Sequence, residues 1–158
     1  VKNTSEPNSK FPGYQEGRWT PTFGSNVTNT EVLGASALQC WSRIGNTVFL
    51  SGRMSFNSTE TDSIKIYGRP YNPLKRPDGG IASEFCGPVM TQHFGTANIP
   101  IVIFQSALEM LLYKSTNTAG FTKITYDDFN ATSASIIFTI TYQTDDTTWQ
   151  PINGATLV

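Results

Sequence analysis

Histidine, cysteine and charge are all scarce in this sequence, and each scarcity excludes a class of protein. Of the 158 residues, 15% are charged, and 11 basic residues nearly balance 12 acidic ones. This balance offers no attraction to nucleic acid or to an anionic membrane. The two cysteines, Cys40 and Cys86, are too few for a disulfide scaffold, so both are predicted to be buried free thiols.

The common catalytic and cofactor motifs are absent as well. The sequence has no G-x-S-x-G, no phosphate-binding loop and no C-x-x-C. No apolar run approaches the about 18 residues of a membrane span, so membrane insertion is not expected. A serine triad or a histidine-rich zinc site would have to be built around His93 alone, which is predicted to lie in a surface loop. No metal-binding set and no active site for an external substrate are therefore predicted.

Two pairs of adjacent aspartates, Asp127-Asp128 and Asp145-Asp146, allow two interpretations. Paired carboxylates can perform acid–base chemistry or bind calcium. Aspartate is also common in turns beside strands for structural reasons alone. The turn interpretation is preferred for both pairs.

Apolar and polar residues alternate in many parts of the sequence, which is the pattern of half-buried β-strands. In residues 47–56 every second position is apolar, with Gly52 as a mid-strand interruption that predicts a bulge or a close backbone approach. Gly45-Asn46 before it is typical of a two-residue hairpin turn. The apolar face of this strand is predicted to hold Val48, Leu50, Met54 and Phe56.

About eight or nine short strands separated by turn signals predict an all-β fold, either an antiparallel β-sandwich or a jelly roll. Residues 107–114 could also form a helix, but a strand is preferred. Residues 1–17 are polar and interrupted by Pro and Gly, so they are predicted to be a linker before a single β-sandwich domain at 18–158. The tail, 145–158, is expected to pack loosely or against another subunit. The predicted strands are 18–23, 38–44, 47–56, 64–67, 81–90, 99–105, 107–114, 121–126 and 135–144.

The longest irregular stretch, residues 68–80, contains candidate ligand-binding residues. Arg69, Lys75 and Arg76 lie there among glycines and Tyr71. Guanidinium and ammonium groups together with backbone N–H groups can hold a phosphate. A solvated loop without a ligand is the alternative interpretation.

The tryptophans are candidates for stacking on sugars. Trp41 is expected to fill the core, whereas Trp19 and Trp149 are the better surface candidates. With Arg69 and Tyr71, these two form the predicted contacts of a glycan or teichoic-acid site.

Two stretches resemble a signature found in C-terminal domains of tailed-phage tail fibres and tailspikes. Residues 17–23 read G-R-W-T-P-T-F, and residues 41–52 read W-S-R-I-G-N-T-V-F-L-S-G. They match a G-x-W-T-P-T opening and an aromatic-x-x-I-G-N-x-V-x-x-x-G hairpin. Residues 128–142 are similar to the closing strands of these domains, so the resemblance covers roughly 17–56 and 121–144.

This resemblance implies a homotrimeric β-sandwich at the tip of an elongated appendage. Some such domains register the three chains, and a subset is released autocatalytically as intramolecular chaperones; others bind host-surface glycan. The chain is also similar to the releasable C-terminal chaperone of pre-neck appendage proteins, for which the resemblance implies ATP binding, although no cofactor is required. A chain that starts at Val1 is expected to be a piece of a longer polypeptide, with any cleavage junction at or before Val1.

The leading hypothesis is a trimerisation and assembly domain whose partners are two further copies and the rest of the appendage chain. It would reside on the virion tail, or in the host cytoplasm if it is cleaved off. The alternative is a tip domain that binds bacterial cell-surface polysaccharide. Self-cleavage is the third hypothesis, and hydrolysis of an external substrate is disfavoured because no pattern places a carboxylate pair.

Overall fold

Twelve strands, paired antiparallel throughout, make up most of the residues that the structure describes. In this computed structural model the described residues are 13–24, 30–31, 39–56, 61–80, 85–95, 100–104, 109–116, 120–129 and 134–158, with backbone alone at 30–31, 100–104 and 116. They include one 3-10 turn, Tyr126–Asp128, and no α-helix. The predicted all-β antiparallel class is confirmed. The strands are β1 (Tyr14–Arg18), β2 (Thr22–Phe23), β3 (Thr30–Glu31), β4 (Cys40–Ile44), β5 (Thr47–Phe56), β6 (Lys65–Tyr67), β7 (Cys86–Gln92), β8 (Pro100–Phe104), β9 (Met110–Thr116), β10 (Gly120–Lys123), β11 (Ala134–Gln143) and β12 (Thr156–Leu157).

The predicted hairpin β4–β5 lies at the centre of the first sheet, whose strand order is β12-β1-β4-β5-β11-β7. Gly45 in its turn has a φ of 56°, which glycine adopts without a steric cost. The strand β11 pairs with β5 along its whole length, residue for residue, so the predicted bulge at Gly52 is absent. A Cβ at Gly52 would lie 2.8 Å from the Phe138 ring and 3.0 Å from the Trp19 ring. The groups that approach this glycine closely are therefore two aromatic side chains and not another backbone segment.

The strand β7 joins the first sheet to a second one. Its first half, Cys86–Pro88, pairs with β8, and its second half pairs with β11. The change of partner falls directly after Gly87-Pro88. Proline donates no N–H, and a Cβ at Gly87 would lie 1.9 Å from the Thr139 carbonyl oxygen. The second sheet continues through β8, β9, β6 and β2, and β10 also pairs with β9. The strand preferred over a helix for residues 107–114 is confirmed from Met110 onward, where β9 begins. Residues 107–108 lie outside the described residues.

Aromatic side chains fill the space between the two sheets. Phe56 of β5 lies edge-to-face against Phe23 of β2, with ring centroids 5.2 Å apart. The rings of Tyr126 and Phe129 approach Phe56 in the same way, at 5.2 Å and 4.9 Å. Each such pair adds about 0.5–1.5 kcal/mol to the effect of burial. Residues of both sheets therefore share one core, which includes Trp41, Val48, Leu50, Met54, Ile66, Met110, Leu112, Ile136, Phe138, Ile140 and Tyr142.

The domain begins earlier than predicted. The strand β1, Tyr14–Arg18, pairs with β4, so the predicted boundary between linker and domain at 17/18 cuts through a strand. The predicted strand 18–23 is wrong in its centre, because Trp19–Pro21 are not in a strand and only Thr22–Phe23 pair with β6. Residues 1–12 of the predicted linker lie outside the described residues.

The C-terminal tail packs on its own domain, which corrects the expectation of loose packing. The Thr144 N–H donates to the Asn46 carbonyl at 2.8 Å, and the Ile152 N–H donates to the Pro70 carbonyl at 2.8 Å. Beyond these contacts, β12 pairs with β1 at the sheet edge.

The two cysteines are free thiols, as predicted, but they are not both buried. Cys40 is half-buried on β4, and Cys86 is exposed on β7. Cys86 faces solvent because it lies on the outward side of β7 with Pro88 and Met90, whereas Val89 on the inward side is buried.

Candidate functional site

The predicted ligand-binding residues do not come together at the surface. The side chains of Trp19, Arg69 and Tyr71 are 2%, 1% and 1% exposed. Trp19 Nε1 donates to the Ser51 carbonyl at 2.7 Å, and its ring packs edge-to-face against Phe138. The prediction of Trp19 as a surface platform is therefore wrong, because the space above Gly52 accommodates its ring inside the core.

The loop 68–80 divides its cations between the interior and solvent. Arg69 points inward, where its guanidinium donates to the Glu109 carbonyl at 3.4 Å and burial lowers its pKa to about 10. Its own carbonyl accepts a hydrogen bond from Asn153 Nδ2 at 2.9 Å. Lys75 and Arg76 are exposed, and Arg76 pairs with Asp78 at 3.6 Å. Only the last two cations of this loop can meet a phosphate from solvent.

Trp149 and Tyr71 enclose a buried arginine instead of a ligand. The Arg43 guanidinium carbon lies 4.5 Å from the Tyr71 ring centroid and 3.9 Å from that of Trp149. Arg43 also pairs with the Asp146 carboxylate at 3.1 Å and donates from Nε to the Gly45 carbonyl at 2.8 Å. We call Arg43, Tyr71, Asp146, Trp149 and Gln15 the Arg43 cluster. It attaches the C-terminal segment to the β4–β5 hairpin.

Hydrogen bonds orient the two rings of this cluster. The Tyr71 hydroxyl donates to Gln15 Oε1 at 2.5 Å, and Gln15 Nε2 donates to the Trp149 carbonyl at 2.9 Å. The Tyr142 hydroxyl donates to the Tyr71 carbonyl at 3.0 Å. Burial raises the pKa of both phenols, although Arg43 partly opposes this at Tyr71. Both therefore stay protonated near neutral pH and act as hydrogen-bond donors.

The outer face of the first sheet carries a groove of about 710 Å³, which we call the outer groove. The pairing register sets four of its residues in one row across four strands. In this row Glu16 opposes Ser42, Ser42 opposes Phe49, and Phe49 opposes Thr141. A second row includes Ser51 and Thr139, which also oppose each other. The walls of the outer groove include Glu16, Ser42, Phe49, Ser51, Thr139 and Thr141.

The chemistry of the outer groove is polar around one exposed aromatic ring. Phe49 is 43% exposed. At the β1 side, the Tyr14 hydroxyl donates to Glu16 Oε2 at 2.5 Å, and this hydrogen bond raises the pKa of Tyr14. Farther along, Cys40 Sγ lies 3.1 Å from Ser51 Oγ. The groove thus offers hydroxyls, an oriented carboxylate and an aromatic surface to a ligand.

A second exposed feature lies on β7, the strand next to β11 in the first sheet. Its outward residues Cys86, Pro88 and Met90 are all exposed and uncharged, and we call them the β7 strip. Met90 is 64% exposed and opposes Ile137 of β11. This strip can contact another apolar surface.

Asp128 and Asp146, one residue from each aspartate pair, have structural partners. Asp128 lies in the 3-10 turn, where it pairs with Lys114 and accepts from the Thr125 N–H at 3.0 Å. Asp146 belongs to the Arg43 cluster. Within the described ranges, no group of three or more His, Cys, Asp or Glu could hold a metal ion. Nor does any described helix have the length and apolarity needed to cross a membrane.

A scan against protein-family models finds no match, and a search of curated proteins finds none. Sequence reasoning named Tyr71 and Trp149, but it missed Arg43, which they enclose, and the residues of the outer groove. Arg43 was detectable as the one charged residue on the inward side of β4, and Phe49 as the one aromatic residue on the outward side of β5. The row that contains Glu16 was not detectable, because it depends on the register between β1 and β4.

Proposed function

We propose that this chain is the trimerisation and assembly domain of a tailed-phage appendage. The sequence resemblance suggests this class, and the β7 strip is the observation that carries the proposal here. Interface cores are depleted in charge and enriched in Met and aromatic residues. The strip lacks charge, because its three successive outward residues are Cys86, Pro88 and Met90. It also contains a methionine, Met90.

The position of the strip also suits a role in assembly. Because β7 pairs with both sheets, a contact at Met90 stabilises the junction between them. This corner strand supports a jelly-roll arrangement of the two sheets. Appendage chains that must find long-range partners fold slowly and risk aggregation. A compact terminal trimer raises the effective concentration of the preceding chain segments to about the millimolar range.

In this proposal the partners are two further copies and the rest of the appendage chain. The domain stays on the virion tail, or enters the host cytoplasm if autocatalytic cleavage releases it. If a nucleotide such as ATP binds, the exposed Lys75 and Arg76 are the described cations that its phosphates would meet.

The native mass of the chain tests the proposal. Three copies of the 17.4 kDa chain should appear as one species of about 52 kDa at micromolar concentration. Met90→Lys should shift this species toward the monomer, because it places a charge in the contact. Ile44→Lys is the matched control, since Ile44 is 57% exposed but lies on β4, away from the strip.

Two results would contradict the proposal at different levels. A wild-type monomer would refute the assembly function itself. A Met90→Lys variant that trimerises as tightly as the wild type would leave trimerisation standing but remove the β7 strip as its interface. The second candidate function, glycan binding, is favoured by the outer groove and is developed below.

A further inference from the structure

We propose that the outer groove is a saccharide-binding subsite. In it the Phe49 ring stacks on the apolar face of a sugar, and the Glu16 carboxylate accepts hydrogen bonds from sugar hydroxyls. These residues differ from the buried Trp19, Arg69 and Tyr71 that the sequence favours for a glycan. The inference rests on residues other than those of the β7 strip: the groove spans β1, β4, β5 and β11, whereas the strip lies on the neighbouring strand β7.

The dimensions of the groove fit a short oligosaccharide. Its volume of about 710 Å³ falls in the range of roughly 300–1,000 Å³ that small-molecule sites occupy. The row from Glu16 to Thr141 crosses four strands, and at about 4.8 Å between strands it extends over about 14 Å. A sugar chain can therefore lie across the strands and contact each of them.

Phe49 provides the stacking surface. Its ring is 43% exposed on the outward side of β5, and Ser42 and Thr141 flank it in the same row. Both neighbours are short, so they leave the ring accessible from the groove. Aromatic side chains contribute apolar area at a low entropic cost because few torsions become fixed.

Glu16 is an acceptor that is already oriented. The Tyr14 hydroxyl holds its Oε2 atom at 2.5 Å. Among the described residues its Oε1 atom has no hydrogen-bond partner, so two lone pairs remain for a ligand. Two neighbouring hydroxyls of one sugar ring can donate to a single carboxylate, which selects a polyol over a simple alcohol.

The hydroxyls of the groove distinguish a saccharide from an apolar partner. In the described part of the chain, Ser42, Thr139 and Thr141 have no intramolecular side-chain hydrogen bond. An apolar protein surface placed here would bury these hydroxyls and Glu16 without partners, which is unfavourable. A saccharide has donors and acceptors around its rim and can satisfy each of them.

The test is a titration of the ¹⁵N-labelled chain with maltotriose, N,N′,N″-triacetylchitotriose and mannotriose, followed by amide chemical shifts. At least one trisaccharide should give saturable shifts in β1, β4, β5 and β11. Phe49→Ala should weaken that binding about tenfold or more, and Glu16→Gln should do the same through the lost acceptor charge. Phe121→Ala is the matched control and should bind like the wild type, because Phe121 is an exposed phenylalanine on β10, outside the groove.

Three results would overturn the proposal. The first is the absence of saturable shifts with all three trisaccharides. The second is equal affinity for the wild type and for a folded Phe49→Ala variant, verified by its amide spectrum. The third is a change of native mass in Phe49→Ala, which would assign this face to contacts between copies of the chain.

Discussion

Replacing Arg43 by methionine should destabilise the domain strongly, because the Arg43 cluster connects segments that are distant in sequence. The guanidinium is fully buried, and its Asp146 partner lies 103 residues away. Methionine keeps the approximate length and apolar character of the side chain. The substitution therefore removes the charge and its hydrogen bonds more than the packing.

The expected magnitude follows from the contacts that are lost. Removing one partner of a fully buried ion pair costs about 3–5 kcal/mol, but the Asp146 side chain is 24% exposed and is partly rehydrated. The two cation–π contacts contribute about 0.5–2 kcal/mol each, and the Gly45 carbonyl loses its donor. Because these contributions overlap, we expect a loss of about 3 kcal/mol, a large part of the about 5–15 kcal/mol of a typical domain.

Urea unfolding at a fixed chain concentration, followed by tryptophan fluorescence, measures this loss. Trp149 stacks on Arg43 and should itself report the change. Arg18→Met is the matched control: Arg18 is exposed on β1, so its replacement should change the free energy of unfolding by less than about 0.5 kcal/mol. If Arg43→Met costs less than about 1 kcal/mol, the Arg43 cluster is not a stabilising connection and the reasoning is wrong.

Two other predictions concern space and pH. Gly87→Ala should destabilise by about 3 kcal/mol or more in the same urea assay, because its Cβ would clash with the Thr139 carbonyl, which is backbone and cannot yield. Gly24→Ala, where the nearest atom is 3.6 Å away, is its control, and equal stability of the two variants would contradict the prediction. The free energy of unfolding should also fall as the pH rises above about 10. Tyrosines ionise there in the unfolded chain, whereas burial raises the pKa of Tyr71 and Tyr142 in the folded state, so the folded chain keeps protons that the unfolded chain loses. Arg69 opposes this trend, since burial lowers its pKa to about 10. Tyr142→Phe should flatten the dependence of the unfolding free energy on pH. An unchanged pH profile would exclude Tyr142 as a cause.

Residues whose local pattern matches their burial could be predicted from the sequence. The strand β5 alternates apolar and polar residues, and its predicted inward face is confirmed. The strand β1 was missed because its two inward positions are Gln15 and Gly17 rather than apolar residues. Gln15 is buried because Tyr71 and Trp149 satisfy its amide, and neither partner is near it in sequence.

The candidate site was less predictable than the strands. Arg69 and Tyr71 belong to a loop rich in proline and glycine, which is typical of a surface segment, yet both side chains point inward. Of the three cations in that loop, only Lys75 and Arg76 face solvent, as its composition indicates. Residue type and loop composition thus located the segment without establishing the direction of its side chains.

The sequence by itself determined the antiparallel β class, the hairpin and the inward face of β5, because alternation and turn residues act over a few neighbouring positions. The tertiary structure alone decided that Trp19 fills the space above Gly52 and that Trp149 and Tyr71 enclose Arg43. It also decided which outward residues share the outer groove. The physical reason is the same in each case: strand register and long-range packing bring these partners together, and no local pattern encodes which distant side chains will meet.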